Sequence, residues 1–149
     1  MATVKRFEEL ECWKEARELC KIIHSFISCE PFSKDYSLKN QINNSSGSAM
    51  DNIAEGFERG GNKEFIQFLA ISKASAGETR SQLYRALDRN YISEADFNLA
   101  STKAESVSAK NQKLINYLNN SEFKGSKYYA HEPQFQYGND VVDLSDFEQ

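Results

Sequence analysis

Residues Ser45–Gly61 read SSGSAMDNIAEGFERGG. The stretch carries the helical repeat Ser46, Ala49, Ile53, Phe57 and then stops at Gly60 and Gly61. A glycine pair directly after a periodic run ends a helix, because Gly enters the left-handed conformation that terminates one. The same stretch is dense in small residues, of which Ser and Gly lower helix propensity and are expected inside a helix only where another helix comes close. The passage therefore predicts the second arm of a helical bundle and the hairpin turn into the third.

The flanking segments follow the same spacing. Upstream, Leu38 and Ile42 extend the repeat back, giving a helix over about 37–59. Downstream, Asn62 is placed to cap a helix over about 63–89, in which Phe65, Leu69, Ser72, Ala76, Thr79, Leu83 and Ala86 recur at intervals of four and three. Trp13, Ala16, Cys20, Ile23 and Ile27 mark a first helix over about 6–28, ended by Pro31. Ser93, followed by Glu94 and Asp96, caps a fourth, with Phe97, Ala100, Ala104, Val107, Asn111, Leu114 and Leu118 on one stripe up to about Asn120. Four such helices, each ~35–40 Å long at ~1.5 Å per residue and joined by short links, predict an all-α, up-down-up-down four-helix bundle over 5–120.

Residues 121–149 form an irregular, acidic, aromatic-containing tail in this reading. It is either a solvated terminus or a segment that docks on its own bundle or on a neighbouring subunit. From Ala130 onward it holds Glu132, Asp140, Asp143, Asp146 and Glu148 and no Lys or Arg. The net charge of −4 therefore divides into an acidic tail and a body near +1. No apolar run approaches the roughly 20 residues that span a bilayer, so no membrane partner is expected. The opening MATVKRFEEL lacks the apolar centre of a signal peptide, and a cytoplasmic location follows as the expectation. Cys12, Cys20 and Cys29 form no CxxC pair and read as reduced thiols.

Counting outward from Gly60 and Gly61 sets Ala49 opposite Ser72 and Ser45 or Ser46 opposite Ala76. Ser46, Ala49, Ser72 and Ala76 are thus the candidates for close helix packing. Gly47, Gly56 and Gly77 each lose roughly 1 kcal/mol against Ala inside a helix, which suggests a close contact within the hairpin or between subunits.

Chemistry is hard to assemble from these residues. Di-iron bundles need Glu-x-x-His on two helices, whereas Lys21 and Tyr128 stand three residues before the two histidines, His24 and His131. GGNKE lacks the spacer and the Gly-Lys-Ser/Thr ending of a phosphate-binding loop. Cys20 lies on an apolar stripe, and Ser46 and Ser48 have no neighbouring His motif to activate them. No catalytic residue, metal site or cofactor is expected, and the chain is not expected to be an enzyme. Basic side chains do cluster. Arg80, Arg85 and Arg89 on the third segment and Lys103, Lys110 and Lys113 on the fourth are the candidate nucleic-acid contacts. Lys14, Arg17 and Lys21 alternate with Glu11, Glu15 and Glu18 and read as a salt-bridged solvent face.

The stretch Asn52–Ile92, NIAEGFERGGNKEFIQFLAISKASAGETRSQLYRALDRNYI, together with FEELECWKEA at Phe7–Ala16, resembles the proteins encoded in intervening sequences of bacterial 23S ribosomal RNA genes. The resemblance covers most of residues 5–120 and implies a small helical bundle, in some members a homopentamer, with no general enzymatic activity. It marks Asn52, Glu55, Gly56 and Arg59 as signature positions of structural or interfacial kind. That family is similar to the accessory variability protein of diversity-generating retroelements, a basic pentamer that binds nucleic acid and a reverse transcriptase. This chain differs in its near-neutral body. Two readings stay open: an RNA- or DNA-binding accessory protein acting as a homo-oligomer, and an oligomeric scaffold whose partner is another protein.

Overall fold

A computed structural model of the chain describes the backbone of residues 4–129 and the side chains of residues 4–121. Its helices are α1 (Glu11–Ile27), α2 (Tyr36–Glu58), α3 (Asn62–Asp88) and α4 (Glu94–Tyr129), packed as an antiparallel four-helix bundle with no strand among the described residues. α2 and α3 form the tightest pair, α3 also lies along α4, and α1 closes the bundle against α2 and α4. The apolar stripes meet in one core, in which Leu19, Leu38, Ile42, Ile53, Leu69, Leu83 and Leu118 are fully buried. Burying an aliphatic side chain of this size contributes about 1.5–3 kcal/mol, so the stripes supply the main driving force.

Local chemistry moves three boundaries from their expected places. The first helix begins at Glu11 rather than near residue 6. The Glu9 carboxylate accepts from the backbone N–H groups of Lys5 and Arg6 at 2.8 and 2.9 Å, and this closes a separate 3-10 turn over Phe7–Glu9. Leu10 is then extended and inserts into the core. Asn62 is the first helical residue of α3 and not its cap. Gly60 takes the left-handed turn at φ 83°, and the carbonyl of the extended Gly61 accepts the first helical bond, from Phe65 N–H at 2.9 Å. α4 keeps its helical path to Tyr129, past the expected limit at Asn120. That stretch contains no proline, and a helix already nucleated propagates without an apolar stripe. The expected docking or solvation of the tail beyond Tyr129 lies outside the described residues.

The Ser93 cap is in place, its hydroxyl accepting from Asp96 N–H at 3.1 Å. Asp35 caps α2, accepting from Leu38 N–H at 3.2 Å through one oxygen. Its other oxygen accepts from Arg89 Nη1 and from the Tyr91 hydroxyl, both at 2.8 Å, and ties the start of α2 to the end of α3. The Tyr91 hydroxyl, then the Leu38 N–H and the Arg89 guanidinium, hold this carboxyl below its ordinary range. A carboxyl depressed in the folded state stabilises the fold above its unfolded value of about 3.9, and that stabilisation is lost as pH falls through the folded value. Asp35→Asn is therefore expected to melt at a lower temperature than the wild type at pH 7. The gap should close as the pH is taken below about 4, as followed by circular dichroism.

Candidate nucleic-acid interface

The four signature positions have architectural surroundings. Asn52 donates through Nδ2 to the Ser48 carbonyl and to Ser48 Oγ, both at 2.8 Å, and Ser48 Oγ meets Ser75 Oγ of α3 at 2.9 Å. Glu55 pairs with Arg59 one turn on at 3.0 Å, both well exposed. The Arg59 guanidinium also approaches Glu64 at 3.8 Å and lies 5.2 Å from the centre of the Phe68 ring. Gly56 is buried where α2 crosses Phe65 and Phe68, and a Cβ built there would stand 2.5 Å from Phe68 Cβ. That contact requires glycine on steric grounds alone. Gly47 and Gly77 differ: a Cβ at either meets nothing within 4 Å.

Ser46, Ala49, Ser72 and Ala76 are all buried. Ser72 Oγ donates to the Ala49 carbonyl at 2.5 Å, so these two residues face each other across α2 and α3. Ser46 Oγ turns back to the Ile42 carbonyl of its own helix at 2.8 Å, and its backbone carbonyl accepts from Cys20 Sγ of α1 at 3.2 Å. Ser45 contacts Thr79 and Gln82 at 2.8 and 2.6 Å. One further polar residue, Asn111 of α4, is fully buried and donates to Ser72 Oγ at 2.8 Å. The sequence carried a signal for it, a carboxamide sitting on an apolar stripe.

Two of the three thiols, Cys12 and Cys20, do not favour nucleophilic chemistry, while Cys29 is exposed. Burial pushes Cys12 up to about 12 and Cys20 up to about 11, which keeps both as neutral thiols at ordinary pH. Among the described residues no group of His, Cys, Asp and Glu could hold a metal ion, and no helix is long and apolar enough to cross a membrane.

The six candidate cations do not converge. Arg80 reaches Glu105 of α4 at 3.1 Å. Arg85 donates to Gln41 Oε1 at 2.8 Å and Arg89 pairs with Asp35, so both turn towards α2. Lys103 pairs with Glu15 of α1 at 2.7 Å and also lowers the Glu18 carboxyl, after Lys21. Lys110 lies close enough to Cys12 to act on that thiol, which places it on the α1 side of α4 with Lys103. Lys113 follows one turn later and is exposed. Neither Lys110 nor Lys113 has an ion-pair partner among the described residues. Between Phe97 and Ser121 the one acid of α4 is Glu105, held by Arg80 on the α3 side. The result is an acid-free stripe along α4, with Leu99 and Thr102 at its start, bordered by the Glu11, Glu15 and Glu18 row of α1. An open depression lined by Asn98, Leu99, Thr102, Lys103 and Ser106 lies at that start.

Fold and site together define a helical bundle whose tight α2–α3 hairpin is fixed by small and hydroxyl residues, with one lysine stripe on α4. Residues 8–113 match the family described as 23S rRNA-intervening sequence protein. The match covers more than half of the chain, and the chain belongs to that family. Its fold is similar to the crystal structure of a protein of unknown function from the S23 ribosomal protein family of Bacteroides thetaiotaomicron. The TM-score is 0.64 at 21% identity, over 70% of this chain and 97% of the other. A comparison with curated proteins returns no match.

Proposed function

We propose that the chain is a non-enzymatic, cytoplasmic homo-oligomer that contacts RNA or DNA through the lysine stripe of α4. The observation that carries the proposal is the pair Lys110 and Lys113, unpaired among the described residues on a face of α4 that is free of acids. Phosphate backbones are bound by several Lys or Arg acting together, and one bundle offers few. A ring of copies, a pentamer by the resemblance, would repeat the stripe and raise avidity without new contacts. Support for a non-catalytic role comes from the candidate nucleophiles, since Cys12 and Cys20 are raised thiols and the Ser45, Ser46, Ser48 and Ser72 hydroxyls are bonded inside the bundle.

A second reading is a scaffold for another protein, favoured by the half-exposed Ile71, Tyr84 and Leu99. Salt separates the two. Fluorescence anisotropy with structured RNA and with duplex DNA should show binding that weakens steeply between about 50 and 200 mM salt. In Lys110→Ala/Lys113→Ala the dependence of log affinity on log salt should flatten by about one unit per lost phosphate contact. No binding at the lower salt, by the wild type or by a chain with a neutralised tail, would leave the scaffold.

A further inference from the structure

We propose that residues 130–149 of this chain dock on the lysine stripe of their own α4 and cover it. The docking stands on charge and reach. Its consequence, that the segment competes with nucleic acid for the same lysines, rests on the function proposed above.

Charge complementarity comes first. The segment has five acids and no Lys or Arg, and Asp140, Asp143 and Asp146 recur every third residue with Val141, Val142, Leu144 and Phe147 among them. Its complement is a surface with unpaired cations and some exposed apolar area. The other cations of the bundle are mostly engaged: Arg80 by Glu105, Arg89 by Asp35, Arg59 by Glu55, and Arg17 over the Trp13 ring at 5.8 Å. Lys110 and Lys113 lie on the acid-free side of α4, and Leu99, which is 55% exposed, lies about 17 and 21 Å back along the same helix at ~1.5 Å per residue. Lys103 belongs to the same stripe but is already shared with Glu15.

Reach comes second. α4 runs to Tyr129, so the segment starts beyond the lysines on the same helix. Lys113 and Lys103 lie about 24 and 39 Å back from Tyr129 at ~1.5 Å per residue. Twenty extended residues span up to roughly 66–72 Å. A chain doubling back along α4 therefore brings Asp140–Glu148 to the lysines, with several residues left for the reversal. Tethering makes weak attraction sufficient. A short link sets an effective concentration on the order of millimolar, so a contact with a dissociation constant of about 0.1 mM is populated about nine-tenths of the time.

The test uses the full chain and brief chymotrypsin digestion, with the rate of cutting after Leu144 and Phe147, inside the acidic run, read by mass spectrometry relative to a free peptide of residues 130–149 with the same tail sequence. When docking is fast relative to cleavage, that rate follows the undocked population. Lys110→Glu/Lys113→Glu should be cut about three- to tenfold faster than the wild type, as expected for losing two surface ion pairs. Adding Asp143→Lys/Asp146→Lys to that variant should restore slow cutting. Equal rates in the wild type and Lys110→Glu/Lys113→Glu would overturn the docking. Protection that grows with protein concentration would also overturn it, in favour of the tail of a second copy. Asp140→Asn/Asp143→Asn/Asp146→Asn, altered only outside the bundle, should be cut faster too, and its affinity for structured RNA at about 50 mM salt should rise about tenfold. Faster cutting of that variant without nucleic-acid binding at any salt supports the docking and removes the nucleic-acid reading. Nucleic-acid binding with both cutting and affinity unchanged removes the docking and keeps that reading.

Discussion

Gly56→Ala is expected to lower the melting temperature by several degrees, while Gly47→Ala and Gly77→Ala leave it unchanged or raise it. All three glycines lie inside helices, and each substitution alone recovers about 1 kcal/mol of helix propensity. What differs is the space. The new Cβ at Gly56 would sit 2.5 Å from Phe68 Cβ and 3.2 Å from Phe65 Cδ2. The nearer atom is joined directly to its backbone and cannot swing aside, so α2 and α3 must separate or Phe68 must leave its place. Overpacking of this kind costs about 1–3 kcal/mol and outweighs the propensity gain. A net loss of about 1 kcal/mol shifts the midpoint of a chain this size by roughly 2–4 °C, and Gly56→Leu should lose more. Differential scanning calorimetry of the three alanine variants decides the matter. A Gly56→Ala protein as stable as Gly77→Ala would mean that α2 and α3 do not approach as described. Analytical ultracentrifugation of Gly47→Ala and Gly77→Ala adds a separate readout. Lost mass at unchanged stability would place those two open glycines between copies.

That contrast shows what the sequence conveyed about the fold and what it withheld. Helix count, order and most boundaries follow from apolar residues recurring at three and four, because burial of one stripe per helix is the dominant energy. The turn at Gly60 and Gly61 was legible because few other residues accept a positive φ. From that turn, simple counting paired Ala49 with Ser72. Counting did not find the Ser45 contacts with Thr79 and Gln82 or the Ser48 contact with Ser75, since small offsets in helix rotation decide which hydroxyl meets which. Nor could it tell Gly56, pressed against Phe68, from Gly47 and Gly77 in open space. The start of α1 was displaced by Glu9 closing on the Lys5 and Arg6 amides, a side-chain event that leaves no periodic trace.

The candidate site was less legible than the fold for a related reason. Along one helix the sequence shows where cations lie but not which acids other helices bring to them. Arg80, Arg85 and Arg89 look like a row on α3, yet Glu105, Gln41 and Asp35 draw them to different sides of the bundle. Lys103, Lys110 and Lys113 stay together because the α4 face between them carries no acid of its own. Which cations remain unpaired is a property of helix packing, and it narrows the candidates from six to a stripe on one helix.

The second large effect is expected at the polar contact where three helices meet. Ser72 Oγ gives its proton to the Ala49 carbonyl of α2 and accepts from Asn111 Nδ2 of α4, and all three residues are fully buried. Ser72→Ala removes one hydrogen bond, worth about 1 kcal/mol net. It also strands the Asn111 amide donor without solvent, at about 1–3 kcal/mol more, so the variant should lose roughly 2–4 kcal/mol in urea unfolding. Asn111→Leu should behave differently. Asn111 Oδ1 has no partner among the described residues, so exchanging the carboxamide for a side chain of similar size removes one unsatisfied acceptor and leaves the Ser72 bond to Ala49 intact. Its loss is expected to stay within about 1 kcal/mol, because replacing a buried polar group by an apolar one of like shape can be nearly neutral. In the double variant the stranded amide is gone, and the combined loss should fall short of the sum by about 1–2 kcal/mol. Additive losses would show that the two side chains do not meet. A coupling of that size would place α2, α3 and α4 in one register, which sequence spacing alone can specify only to the nearest turn.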